Sequence, residues 1–126
     1  MRTIVVNGTV INAEGRVAAD VVIEGERIVS VVPRSANALV PGPDDTVIDA
    51  AGCFVIPGGV DAHVHMQLDT GTMVSSDSFE SGTIAAALGG TTTIIDFSEQ
   101  RLGGQVLTAF ESRFAEAESQ CVIDWG

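Results

Sequence analysis

The chain has 126 residues, 45% of them hydrophobic and 18% charged, which is ample for a core in one small domain or in part of a larger one and excludes disorder, a state of low hydrophobicity and dense charge. Acidic residues outnumber basic ones 17 to 6, lysine is absent and the formal net charge is -11. That balance excludes nucleic acid and anionic membrane as partners, since both are held by Lys and Arg neutralising phosphates.

The opening MRTIVVNGTVINAEG has no apolar stretch of signal-peptide length, and no run approaches the ~18 apolar residues of a membrane span. A cytoplasmic protein with no membrane partner is the expectation. Cys53 and Cys121 sit in the apolar runs CFVI and CVIDW with no CxxC or finger spacing, and read as buried free thiols.

Taken in chain order, the first 56 residues read as short strands. Thr3 to Val6 and Thr9 to Asn12 flank Asn7-Gly8, a hairpin signal because a type I′ turn needs positive φ at both central positions. Val17 to Glu24 and Arg27 to Val32 flank Glu-Gly-Glu and predict a second hairpin rich in β-branched residues. Pro33 to Asp45 holds three of the four prolines and reads as a loop. Val47 to Ala50 and Cys53 to Ile56 are further short strands.

After Pro57 the pattern changes. Val60 to Met66 reads as a strand, followed by a flexible loop from Gln67 to Ser76. Asp77 to Leu88 reads as a helix with Asp77 as cap, Glu80 closing a capping box, and Phe79, Ile84, Ala87 and Leu88 as its apolar stripe. TTTIIDF, Thr91 to Phe97, is nearly continuous in β-branched residues, as buried parallel strands are. A second helix spans about Gln105 to Ser119, with Leu107, Phe110, Phe114 and Ala117 on one face and Glu111, Glu116 and Glu118 on a water-facing side. Cys121 to Asp124 starts another buried strand. This order, β-α-β-α-β, is that of parallel βαβ units, and its last strand at Gly126 would leave an open sheet edge.

Both histidines of the chain lie in PGGVDAHVHM, residues 57 to 66. Alternation along a strand points Asp61, His63 and His65 to one face, so two imidazoles can ligate one ion while a nearby carboxylate orients a ring. An HxH pair alone is equally a pair of surface or core histidines. The preceding Pro-Gly-Gly and the following loop favour a site at the carboxyl face of an α/β sheet. Asp96 could face the same site or be buried against backbone; Glu99 to Arg101 read as solvated, and Trp125 as packing.

The strings VIPGGVDAHVHM and SFESGTIAAALGGTTTIIDF resemble the dihydropyrimidinase and hydantoinase group of the metal-dependent amidohydrolase superfamily. The resemblance extends over essentially the whole chain. It implies an α/β fold: residues 1–56 as the N-terminal part of a small β-sandwich domain, and residues 57–126 as the first βαβαβ part of a (β/α)8 TIM barrel, incomplete here. It implies a zinc hydrolase with two Zn(2+) per active site that opens the ring amide of dihydropyrimidines or 5-substituted hydantoins to N-carbamoyl amino acids. His63 and His65 match the first-strand metal ligands, Asp61 stands behind them, and Leu68 and Met73 on the following loop are candidate contacts to the small cyclic amide substrate. A homo-oligomer, tetramer or dimer, is implied for a full-length chain. The group's bridging carbamylated lysine and two later histidines have no counterpart here, since the chain has no lysine and no third histidine, and the resemblance places its catalytic aspartate downstream. A fragment inactive by itself is therefore expected. The alternatives are another cyclic amidase such as an allantoinase or dihydroorotase, a non-catalytic assembly protein of the same fold, and a self-sufficient β-rich binding module.

Overall fold

The computed structural model describes residues 2–35 and 39–126, so the expected loop from Pro33 to Asp45 lies partly outside the described residues. The chain divides into two compact units, Met1–Pro57 and Gly58–Gly126.

The first unit is built of β1 (Arg2–Val6), β2 (Thr9–Asn12), β3 (Gly15–Glu24), β4 (Arg27–Pro33), β5 (Thr46–Asp49) and β6 (Phe54–Val55). β3 is its centre. Both β1 and β2 run antiparallel to β3, β4 pairs its other edge, and β5 and β6 add in parallel to β1 and β2. The expected Asn7-Gly8 hairpin is therefore a different device. Val5 faces Val21 and Thr9 faces Ala18, so four residue steps on one side oppose three on the other, and one extra residue makes a β-bulge. Asn7 takes the left-handed conformation at φ 63°, which Asn tolerates better than most residues, and its N–H is accepted by the buried Asp20 carboxylate at 3.0 Å. Gly8 is required for closeness rather than for φ: a Cβ there would lie 2.5 Å from Val55 Cγ2. The true hairpin closes at Ala13-Glu14, where Asn12 Oδ1 accepts the Glu14 N–H at 2.9 Å, a side-chain-stabilised turn. The second hairpin, β3 to β4 around Gly25 (φ 59°), forms as expected.

Alternation along β3 puts Ala19 and Val21 into a cluster with Val10, flanked by Val5, Ile23 and Val55. Cys53 is exposed, against expectation: it lies in the turn just before β6, where its backbone bonds to Ala50 and Thr9. Asp45 anchors the start of β5, accepting from Arg2 Nε at 3.0 Å and Nη2 at 2.6 Å. The Arg2 hydrogen bonds, with help from the Gly42 N–H, hold its carboxyl down at about 2 from an ordinary 3.8. A depressed acid stabilises the folded chain above its ordinary pKa and loses that contribution as pH falls through the folded value. Acid titration followed by circular dichroism is expected to show β-unit stability declining between pH 4 and pH 2, with a shallower decline in Asp45→Asn.

The second unit is β7 (Gly59–Val64), α1 (Phe79–Leu88), β8 (Thr91–Asp96), α2 (Val106–Ala117) and β9 (Asp124–Trp125), with β7, β8 and β9 parallel in that order. This is the expected β-α-β-α-β run, with the last strand shifted to Asp124. A Cβ on Gly58 would strike the Thr92 side chain at 2.1 Å, so the second residue of Pro-Gly-Gly lets β7 enter beside β8.

Several finer expectations fail. The cap of α1 is Ser78, not Asp77, and Ser81 rather than Glu80 closes the capping box: each hydroxyl accepts the other residue's backbone N–H. The inward face of α1 is Phe79, Gly82 and Thr83, while Ile84 and Leu88 are exposed. The small Gly82, three residues after Phe79, lets the helix approach so closely that a Cβ there would meet Met66 Sδ. In α2 only Ala117 of the expected stripe is buried, with Leu107, Phe110 and Phe114 still substantially exposed. Of the three acids assigned to water, Glu116 keeps its side chain 43% exposed and also pairs with Arg113 at 2.8 Å. In β8 only Ile94 is buried, with Ile95 exposed, because α1 covers one face of the strand. Among the described residues no helix is long and apolar enough to cross a membrane.

Candidate metal site at the end of strand β7

β7 carries Asp61 and His63, and His65 follows one residue past its end. The pairing with β8 slips here: Asp61 faces Ile94 and Val64 faces Asp96, three steps against two. Such an irregularity re-aims side chains at a strand end. The two imidazoles converge, with His63 Nε2 3.3 Å from His65 Nε2 and ring centroids 5.2 Å apart. Two donors on a tetrahedral zinc, each at about 2.0–2.1 Å, stand about 3.3–3.4 Å apart. The spacing and the imidazole nitrogen donors therefore fit one shared ion, and the two rings meet on one side as expected.

The surroundings restrain both rings. Phe97, just past β8, lies against His63 with centroids 4.5 Å apart and stacks on His65 at 5.2 Å. Asp61 does not reach a ring nitrogen. Its carboxylate accepts the His63 backbone N–H at 3.1 Å, so it acts on His63 through the main chain. His65 Nδ1 lies 3.8 Å from Glu99 Oε1. Among the described residues, no cluster of three or more His, Cys, Asp or Glu side chains suited to a metal forms.

The loop after β7 is well bonded rather than loose. Gln67 turns it with φ 49°, and its side chain accepts the Phe79 N–H at 3.1 Å. Asp69 bridges to Val74, and the Leu68 carbonyl accepts from the Ser75 N–H at 2.9 Å. Beside it opens a hollow of about 400 Å³ lined by Leu68, Phe97, Glu99, Arg101 and Arg113, among others. Leu68 thus reaches the hollow, while Met73 is 70% exposed and lies outside its lining.

Arg113 is the residue that pattern reading missed. Its side chain is only 16% exposed and its Nη2 donates to Asp96 Oδ2 at 2.6 Å and to the Met66 carbonyl. Asp96 is thus buried and bonded to backbone, the Phe97 N–H, at 2.7 Å, and to a guanidinium besides. The available signal was helical spacing, because Arg113 falls four residues before the buried Ala117 and shares its face. Trp125 packs on Phe114, centroids 4.9 Å apart. Cys121 is partly buried, and that burial, with Asp96 nearby, pushes its thiol up from 9.0.

No family model matches the chain. Individual relatives do. The D-hydantoinase of Streptomyces coelicolor is 43% identical over 125 residues, 99% of this chain and 27% of its own length. The D-hydantoinase of Geobacillus stearothermophilus is 43% identical over all 126 residues, 26% of its length. The solved structure of the dihydropyrimidinase from Brevibacillus agri is 39% identical, with a TM-score of 0.90 over the whole of this chain and 26% of that one. The chain thus spans about a quarter of the length of the relatives it matches.

Proposed function

We infer, from a chain homologous along its whole length to hydantoinases and dihydropyrimidinases, that it supplies the first metal-ligand strand of a cyclic amidohydrolase. The reaction is hydrolysis of the ring C–N amide of a dihydropyrimidine or 5-substituted hydantoin to an N-carbamoyl amino acid. The observation that carries this reading is the 3.3 Å convergence of His63 and His65 Nε2 at the carboxyl end of a parallel strand.

Ring amides resist hydrolysis because the carbonyl is a poor electrophile and water a poor nucleophile. His63 and His65 would hold a zinc ion, which when bound would supply both needs by lowering the pKa of water to about 7 and polarising the carbonyl. The chain's own part is to hold and orient. His63 and His65 bind, Phe97 packs on both rings and restrains them, and Asp61 fixes the His63 main chain. Leu68 offers an apolar contact from the hollow to the substituent of the substrate. The (β/α)8 barrel and the second zinc belong to the same reading. Two protein ligands leave the ion short of the usual three plus water, so the 126-residue chain is not expected to turn over hydantoin even with added zinc.

A hybrid tests the proposal: these 126 residues replace the matched quarter of the Geobacillus stearothermophilus D-hydantoinase. Ring opening by the hybrid, lost in His63→Ala, is the expected result. A folded, zinc-loaded hybrid with no turnover overturns the reading.

A further inference from the structure

We propose that Arg113 is a positioning residue for the imidazole pair, clamping the end of β7 against β8. This rests on the metal reading of His63 and His65. One guanidinium reaches that pair by two routes. Its Nη2 donates to the carbonyl of Met66, the residue after His65, which fixes the main chain where β7 has ended and regular pairing no longer holds it. The same nitrogen donates to Asp96 Oδ2 at 2.6 Å, and Asp96 Oδ1 accepts the Phe97 N–H at 2.7 Å. Phe97 is the ring that contacts both imidazoles. The guanidinium also lies 4.4 Å over the Phe79 ring, and Nη1 holds Glu116 at 2.8 Å, so it is oriented from several sides.

The clamp can be tested apart from stability. Among the described residues Arg113 Nε is buried without a partner, and a buried ion pair with an unmet donor contributes little net folding energy. Neutralising both partners is often harmless to the fold. Loss of an orienting group behind metal-binding histidines, in contrast, weakens metal affinity by about 10- to 100-fold.

The test uses zinc itself. The chain has only two histidines, so its imidazole C–H signals in an NMR titration report the site alone. In the native chain both are expected to shift together at one zinc per chain. In Arg113→Met combined with Asp96→Asn the far-UV spectrum is expected to stay native and the zinc dissociation constant to rise about 10- to 100-fold. Arg113→Lys keeps the charge but loses the fork, and is expected to fall between. Should the double variant not fold, the Lys variant carries the comparison. Zinc affinity unchanged in a folded variant overturns the clamp. A native chain whose imidazoles ignore zinc, or a His63→Ala chain that binds it equally well, overturns the metal reading instead, and the clamp with it.

Discussion

Phe79→Ala is expected to destabilise the Gly58–Gly126 unit by about 3–5 kcal/mol, read as a shift in chemical denaturation. Phe79 is fully buried and begins α1, with its N–H accepted by Gln67 Oε1 at 3.1 Å and its ring under the Arg113 guanidinium. Truncation leaves a cavity between the helix start and the loop after β7 and strips the buried cation of the face it rests on. That unit has few other fully buried large side chains, Ile94 and Thr83 among them, so little remains to absorb the loss. Phe79→Leu, which keeps most of the volume, is expected to recover more than half of it. Equal stability of Phe79→Ala and the native chain would mean that the helix start is not packed as described.

The second large effect is on ion binding. His63→Ala and His65→Ala are each expected to weaken zinc binding by more than about 100-fold, beyond the range seen for loss of an orienting neighbour, because a direct donor is removed. The two losses should not add. With one imidazole gone, the other is an ordinary exposed histidine, and the double variant should bind no more weakly than either single one. Isothermal titration of the three variants reads this directly. Independent, additive losses would mean that the rings serve separate ions.

Much of this arrangement was readable in the residues. Strand alternation predicted that His63 and His65 share a face, and their ring nitrogens do meet. The β-branched run TTTIIDF and the two helical stretches predicted parallel β-α-β-α-β order, and β7, β8 and β9 are parallel. What escaped depends on long-range partners. Asn7-Gly8 has the local chemistry of a tight turn and Asn7 does take positive φ. Yet β3 is ten residues long and can pair with both flanking strands, which turns a hairpin into a bulge. The apolar residues of α1 suggested an inward stripe, of which Phe79 is buried, whereas close approach to Met66 selects Gly82 and Thr83 turns inward to accept the Val122 N–H. Asp61 instead satisfies a backbone N–H two residues on, a local bond that competes with any ring contact. Arg113 shares the Ala117 face of its helix but carries no motif that singles it out, and only the fold brings Asp96 and the Met66 carbonyl to it.

Anomalous diffraction at the zinc edge, from crystals of the chain grown with zinc, most directly tests whether β7 is a metal-ligand strand. The expected map has a single strong peak within about 2.0–2.1 Å of Nε2 of both His63 and His65, beside the Phe97 ring. No peak at that position, or one touching a single imidazole with the other turned to the opposite side of the strand, would contradict it.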